Sequence, residues 1–298
     1  MKIINKNQME IVGYRFIWLA VALAVMLTCA VFIMVKGFSF DTDFRGGISL
    51  QYDLHTSLDK AELDKIRAEV NAIDGITVTS IQKSGDDDSS VIIKAADAAP
   101  EVVSKVYETL NSLYGSETEV EILSESRISA SISKEIKHSA IIATSIAVLL
   151  MLVYIAIRFE IRSAVAAILC LVHDIFIVVA SYSIFGIPVS SNLIAVILTI
   201  LGYSINATII LFDRVRQNRK LMGKTDFGVI INTSVRQTLM RSVNTTITTL
   251  FTIGMIYILG VHSIKEFALP IIVGIVAGLY SSLFLSGSFW YMLSPKRR

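Results

Sequence analysis

Ionisable and amide side chains interrupt three of the long apolar runs in this sequence, and their chemistry is that of holding or relaying ions. His173 and Asp174 follow Arg162 by ten or so residues, a depth of about 15 Å by helical rise. In the next run, polar residues recur every seven positions and so occupy one slowly drifting helical stripe. The members of that stripe are Asn192, Thr199, Asn206 and Asp213.

A further apolar run carries polar residues at i, i+4, i+7 and i+11, which again lie on one helical face. Each charged group inside a bilayer costs about 2.5 to 3.5 kcal/mol on insertion scales, so such groups normally face a protein interior or a water path. We therefore predict that the three polar stripes converge. The last stripe contains Arg241, Thr245, Thr248 and Thr252, and the candidate ion-coupling residues of all three stripes are His173, Asp174, Asn206, Asp213 and Arg241.

Structural explanations compete with ion coupling for most of these residues. Threonines often join helices through interhelical hydrogen bonds, which is the interpretation we favour for the threonine stripe. Asp213 precedes Arg214 and Arg216, so an ion pair at a helix end explains it as well as a coupling role does. Arg241 lies near the start of its apolar run, where its side chain can reach the membrane surface.

Asp174 has the weakest structural explanation, because its place in the run leaves no solvent nearby; His173 either orients it or stays neutral. No nucleophile accompanies the pair at helical spacing, so an intramembrane enzyme is the least expected function. The pattern Gly274-x-x-x-Gly278 predicts close helix packing. Cys29 and Cys170 lie inside apolar runs and indicate neither a disulfide nor a metal site, and no Gly-x-x-x-x-Gly-Lys pattern predicts nucleotide binding. We expect no enzyme activity, metal or cofactor.

The composition places these residues in a membrane protein. Of 298 residues, 53% are hydrophobic and 17% charged, which is more apolar surface than a soluble domain of this size buries. The first run is longer than a signal-peptide core and precedes no small-x-small cleavage site, so we expect an uncleaved helix. The fold class is α-helical membrane protein with six transmembrane helices, predicted at 16–35 and about 139–157, 163–185, 189–212, 242–260 and 267–293.

Charge is divided unevenly along the chain. Residues 37–138 hold 19 acidic and 10 basic residues, whereas the rest hold 6 and 17. Basic residues flank cytoplasmic ends of spans, so both termini are predicted to be cytoplasmic and the acidic block extracytoplasmic. The basic clusters are Arg158 with Arg162, then Arg214, Arg216, Arg219, Lys220, Lys224 and Arg236, and finally Lys296, Arg297 and Arg298.

The acidic block, residues 37–137, alternates strand and helix patterns in the order βαββαβ. This order predicts an α+β ferredoxin-like domain between a first segment, 1–36, and a five-helix region, 138–298. Asp86 to Asp88 indicate a hairpin turn, since a calcium loop needs more widely spaced ligands. The strand patterns are 38–54, 76–83, 91–95 and 119–123; one helix follows Ser57 as its cap over 58–73, and Pro100 opens another that ends near Gly115.

Short motifs along the chain resemble, in order, those of the SecD/SecF family of the resistance-nodulation-division superfamily. The sequence Asp43-Phe44-Arg45-Gly46-Gly47 is similar to the Asp-Phe-x-Gly-Gly motif with which the family's extracytoplasmic domain begins. The length and single set of spans are similar to SecF members rather than to fused SecDF members. The other matching segments are 155–160, His173-Asp174, 202–206 with 212–216, 238–241, and Gly278 with 280–282.

The resemblance implies a half-transporter that pairs with a SecD-like subunit into a pseudo-symmetric twelve-helix unit. Such a complex associates with the SecYEG translocon and uses a proton or sodium gradient to help draw the translocating polypeptide outward through the bacterial cytoplasmic membrane. The partners expected are therefore the SecD-like subunit, SecYEG, the polypeptide and membrane lipid, with no nucleic acid.

One position departs from the family pattern. After the segment matched by Asn206, the family normally has an aspartate that carries the ion and pairs with the arginine matched by Arg241, whereas this chain has Ala207. A methyl group binds no ion, so coupling rests on other groups of this chain, on the partner's carboxylates, or the subunit is a passive scaffold. We favour coupling through the partner.

Two other functions compete with an export subunit. Half of a small-solute or drug exporter from the same superfamily has the same helical plan, although such exporters usually have larger outer domains and lack these ordered motifs. A non-transporting assembly factor is the other alternative, and Ala207 favours it.

Overall fold

The computed structural model describes residues 10–84, 89–96, 99–115, 119–158, 160–223 and 225–294. Within them, six helical spans are long and apolar enough to cross a membrane, and this defines a multi-pass membrane protein. These are α1 (Arg15–Lys36), α5 (Ala130–Arg158), α6 (Ile161–Phe185), α7 (Asn192–Met222), α8 (Phe227–Leu259), and a last span of α9 (His262–Tyr280), a π-helix (Ser281–Leu285) and α10 (Ser286–Leu293).

Helices α7 and α8 are longer than the spans predicted from hydropathy. The basic segment between them, which lies outside the predicted spans, is helical up to Met222 and again from Phe227. At 31 residues, α7 is about 46 Å long, well beyond the ~30 Å of a hydrocarbon core. Hydropathy does not detect these ends because they are amphipathic: Val215, Ile231 and Val235 are buried in the main helical core. Helix α5 likewise begins at Ala130, ahead of the predicted span.

A four-stranded sheet with two helices lies at one end of the spans, between α1 and α5. All neighbouring strands are antiparallel, in the order β2-β3-β1-β4. The sheet module is formed by β1 (Gly47–Asp53), α3 (Lys60–Asn71), β2 (Val78–Ser84), β3 (Ser90–Ala95), α4 (Pro100–Tyr114) and β4 (Glu121–Ile128).

Alternate residues of β1 and β3, including Leu50, Tyr52 and Ile93, are buried in one core with Ile66 of α3 and Val106 of α4. This arrangement follows the strand period of two. The end of the spans that adjoins this sheet is called the sheet side below.

Local turn chemistry differs from the prediction at two places in the module. The helix predicted after Ser57 is capped instead by Asp59, whose carboxylate accepts a hydrogen bond from the Glu62 N–H in a capping box. The strand predicted from residue 38 begins only at Gly47, because Asp41 caps a single helical turn, α2 (Thr42–Arg45). Pro100 and Gly115 bound α4 as predicted. The turn predicted at Asp86 to Asp88 lies outside the described residues.

Small residues let α6, α7 and α9 pack closely. A Cβ built on Gly274 would lie 2.6 Å from Ile200 Cδ1 of α7 and 2.7 Å from Val178 Cγ2 of α6. At Gly278, one turn further along α9, the same construction gives 3.3 Å to Ser204 Cβ. Both glycines of the Gly-x-x-x-Gly pattern therefore lie where three helices meet.

Candidate functional site

Asp174 is the centre of a buried polar cluster in the middle of α6. Its residue exposure is 0%. Nδ1 of His173 lies 2.8 Å from Oδ1, while the hydroxyls of Ser204 and Ser281 donate to Oδ2 over 2.5 and 2.7 Å. The carboxyl is 13 residues from the start of α6, about 20 Å by helical rise. Three segments, α6, α7 and the π-helix, thus bring four polar side chains together at mid-span.

The π-helix sets the position of Ser281 in this cluster. Five-residue π segments interrupt α-helices, often at functional sites, because they shift one residue out of the regular ladder. Here the Ser281 carbonyl accepts the Ser286 N–H and also lies 3.7 Å from the Cys170 thiol. The Tyr280 ring lies 6.0 Å from the His173 ring, and the Tyr280 hydroxyl donates to the Trp18 carbonyl of α1 over 2.7 Å.

The structure does not bring all predicted site residues to this cluster. Asn206 and Arg241 are both exposed on the surface of the described chain, so neither of them joins Asp174 in this cluster. The threonine stripe of α8 does not join helices either. The hydroxyls of Thr245, Thr248 and Thr252 bond to carbonyls of their own helix, at Arg241, Thr245 and Thr248 respectively.

Asp213 and Arg241 instead line an open cleft of about 430 Å³ between α7 and α8, on the side away from the sheet. The Asp213 carboxylate pairs with Arg158 at 3.4 Å and Arg216 at 3.1 Å. Arg241 makes no ion pair with another described residue. It is 14 residues from the start of α8, about 21 Å, because the helix begins at Phe227, well ahead of the apolar run predicted from position 242. The remaining lining residues are Ile210, Arg214, Gln217, Gln237 and Thr238.

Ala207, the position without the family carboxylate, is half-buried on α7 one turn from the cleft. Its neighbour Tyr203 donates a hydrogen bond of 3.1 Å to Thr246 and so ties α7 to α8. Among the described residues, Asp213 is the one acidic residue of α7 that lines the cleft. Arg241 therefore has no carboxylate partner from position 207 in this chain.

The Asp-Phe-x-Gly-Gly motif connects the sheet module to the spans. Oδ2 of Asp43 accepts from both the N–H and the hydroxyl of Ser191, over 3.0 and 2.5 Å. The Asp43 carbonyl accepts from Ser133 of α5 over 2.7 Å, and Phe44 packs against Tyr182 and Val189. The motif thus binds the α6–α7 loop and α5 at once.

Asp41, two residues before this motif, adds an ion pair that sequence reasoning missed. Its carboxylate lies 2.6 Å from Nζ of Lys94 on β3, and the two side chains are only 7% and 18% exposed. The backbone of Asp41 also donates to Val189 over 3.0 Å, and Val189 donates to Ser39 over 2.7 Å. A short acidic residue before a helical turn was the available signal. We call these contacts of Asp41 and Asp43 the junction.

Ser204 and Ser281 were also missed as members of the Asp174 cluster. Both lie inside segments that had been noted for family similarity, beside Asn206 and Tyr280. Serine is common in spans, so its type alone gave no reason to pair either residue with Asp174.

Comparisons with known proteins show that the chain is similar to protein-export membrane proteins. The family profile described as "Protein export membrane protein SecD/SecF, C-terminal" matches residues 108–296. The "Protein translocase subunit SecF" of Petrotoga mobilis is 34% identical over 295 residues, which is 97% of each chain. The "Protein translocase subunit SecDF" of Thermus thermophilus is 32% identical over 273 residues, covering 91% of this chain and 36% of its own.

A solved structure has the same overall arrangement. The crystal structure of SecDF from Thermus thermophilus superimposes with a TM-score of 0.81 at 28% sequence identity. The match covers 97% of this chain and 39% of the SecDF chain. The similarity therefore includes the sheet module and the spans together, and corresponds to a minor part of the fused protein.

Proposed function

Because this chain belongs to the SecD/SecF family of protein export membrane proteins, we propose that it acts as a SecF-like translocase subunit in the bacterial cytoplasmic membrane, where it assists Sec-dependent movement of polypeptides. The observation that carries the proposal is similarity over 97% of the chain to a SecF translocase subunit of matching length. The role requires no covalent chemistry from this chain. Its partners would be a SecD-like subunit, the SecYEG translocon, the moving polypeptide and membrane lipid.

The surface of α7 and α8 supports a SecD-like partner. Arg241 is exposed beside a cleft within a helix that is otherwise apolar enough to span a membrane, and it has no ion pair among the described residues. Arg241 lies 18 residues before the end of α8, about 27 Å by helical rise, so it is near one face of the membrane, where an arginine reaches the surface or meets an anion. SecDF relatives are longer than this chain, which matches 39% of the SecDF chain in the solved structure. A partner of this chain would correspond to the unmatched part of a SecDF chain. We infer that the partner supplies that anion.

Coupling to an ion gradient then rests with the pair of subunits. Ala207 offers no carboxylate, so a carboxylate of the partner opposite Arg241 would take up and release the proton or sodium ion. One elementary charge that crosses 100 mV releases about 2.3 kcal/mol, enough to shift a two-state equilibrium by about fiftyfold. The junction would carry the resulting movement, because it ties α5 and the α6–α7 loop to the sheet module.

The finer architecture follows from charge and topology. We assign the sheet module as a ferredoxin-like unit, since its order βαββαβ and its antiparallel sheet β2-β3-β1-β4 are those of a split βαβ arrangement. The basic residues cluster on the side away from the sheet, so the positive-inside rule makes that side cytoplasmic, with both termini there. The sheet module is then extracytoplasmic.

Arg241→Ala tests the proposal in cells that depend on this chain for export. We expect processing of a secreted precursor, followed by pulse labelling, to slow by about tenfold, equivalent to ~1.4 kcal/mol of barrier. The matched control is Arg236→Ala, which removes an exposed arginine of the same helix outside the cleft lining.

Affinity isolation of both variants separates coupling from assembly. A co-isolated SecD-like subunit at normal yield, together with slow export, supports the proposal. Normal export by Arg241→Ala contradicts partner coupling at this residue. If no such subunit is co-isolated and the chain supports drug-dependent flux, it is half of a small-solute exporter. If the complex is normal but export does not depend on an ion gradient, the chain is a passive scaffold.

A further inference from the structure

The Asp174 cluster buries a carboxyl group that has no described lysine or arginine beside it. The coupling proposed for Arg241 does not involve this group. Asp174 has no exposed surface and His173 has a side-chain exposure of 5%. Neither contacts a lysine or arginine in the described part of the chain. Removal of an ionised carboxylate from water costs several kcal/mol even after the protein relaxes, so a buried carboxylate is normally paired or neutralised.

One bound proton makes the pair neutral. It resides either on the carboxyl, beside a neutral imidazole, or on the imidazole, beside a carboxylate; both forms have zero net charge and belong to the pair rather than to one residue. The 2.5 Å distance between Ser204 Oγ and Asp174 Oδ2 is at the short end for O–H···O hydrogen bonds with a charged partner. We propose that His173 and Asp174 form a proton-binding pair that holds one proton between α6, α7 and the π-helix.

The two serines allow the pair to release that proton. A hydroxyl donates one hydrogen but also accepts, so each serine can donate to a carboxylate or accept from a carboxylic acid. Ser281 has a second acceptor, the Gly278 carbonyl at 3.2 Å, besides Asp174 at 2.7 Å. It can therefore turn from one to the other as the carboxyl charge changes. Proton exchange thereby alters the hydrogen bond that holds the last span to α6.

Among the residues that the structure describes, no lysine, arginine or second carboxylate contacts the pair from the elements packed against it. Within the described residues, the titratable groups that face the pair are the Cys170 thiol of α6 and the Tyr280 phenol of α9, and α1 contributes Trp18. From α7 only Ser204 reaches the carboxyl. His173 retains a side-chain exposure of 5% and Asp174 has none, so the imidazole is the member of the pair nearer the protein surface. The site is separate from the cleft that Arg241 lines.

The test uses the purified full-length chain in lipid, with two spectroscopic readouts taken across pH. Infrared difference spectroscopy detects a protonated carboxyl group, and nuclear magnetic resonance of ring-labelled histidine detects an imidazolium. The chain has four histidines, so His173→Gln identifies the signal of His173. We expect a carboxyl or imidazolium signal that Asp174→Asn removes and that Asp213→Asn, the matched substitution on α7, leaves unchanged.

Ser204→Ala keeps both titratable groups and removes one donor to the carboxylate. Since that donor bonds directly to the carboxyl group, we expect the infrared band of the protonated carboxyl to change frequency, whereas Asp213→Asn should leave the band where it is. Absence of both signals at every pH, or a signal that Asp174→Asn leaves intact, would overturn the proposal. Neither readout involves export, so failure here leaves the proposed translocase function standing, and failure of the Arg241 test leaves this pair standing.

Discussion

Replacement of Gly47 by alanine adds a methyl group at the start of β1, where the family motif ends. Gly47 has φ of +140°, a conformation that side-chain-bearing residues rarely adopt, and an added Cβ would lie 2.2 Å from the Ala95 carbonyl oxygen of β3. A contact that short requires the backbone to move, because the neighbouring atom is not a flexible side-chain end. The strained backbone costs about 1 to 3 kcal/mol and the overlap about 1 to 3 kcal/mol more.

We therefore expect Gly47→Ala to lower the stability of the sheet module by about 2 to 6 kcal/mol. Hydrogen exchange of the β3 amides in the intact protein measures this locally, and a loss of about 2 kcal/mol corresponds to roughly 30-fold faster exchange through local opening. The control is Gly37→Ala, whose φ is also positive, at +66°, but whose added Cβ has nothing within 4 Å. If β3 exchanges as slowly in Gly47→Ala as in Gly37→Ala, close approach of the two strands does not explain this glycine.

Three further substitutions follow from the contacts described above. Ala207→Asp puts a carboxylate next to the Arg241 cleft, so the ion dependence of export into vesicles should change; unchanged dependence would place position 207 off the ion path. Lys94→Met leaves the 7% exposed Asp41 carboxylate without its cation and should destabilise β3 in the exchange assay by about 1.5 to 3 kcal/mol. The control, Lys65→Met on the exposed face of α3, should cost less than ~0.5 kcal/mol. Gly274→Val forces a branched side chain against Ile200, so the detergent-solubilised protein should lose about 1 to 3 kcal/mol of stability and melt at a lower temperature. An unchanged melting temperature would mean that α7 and α9 can move apart there at no cost.

The spans and the element order of the sheet module were predictable because they depend on local composition. Twenty uncharged residues in the first run suffice to identify a membrane helix, whatever its neighbours are. The ends of α7 and α8 were not predictable from hydropathy, since they are amphipathic helices whose apolar sides pack on the protein core. Likewise, whether Ser57 or Asp59 caps α3 depended on which side-chain oxygen met the N–H groups of the first turn.

Composition and spacing were enough to predict that His173 and Asp174 lie deep in a span and need partners, and that the chain has the motifs of an export family. Which partners they meet depends on how the helices pack. Ser204 and Asn206 are two residues apart on α7, and a helix turns about 200° over two residues, so only one of them can face α6. The side that is buried carries Ser204 to Asp174, a partner 30 residues away, and leaves Asn206 on the surface. That rotation is fixed by the packing of several helices against one another, which no stretch of α7 encodes alone.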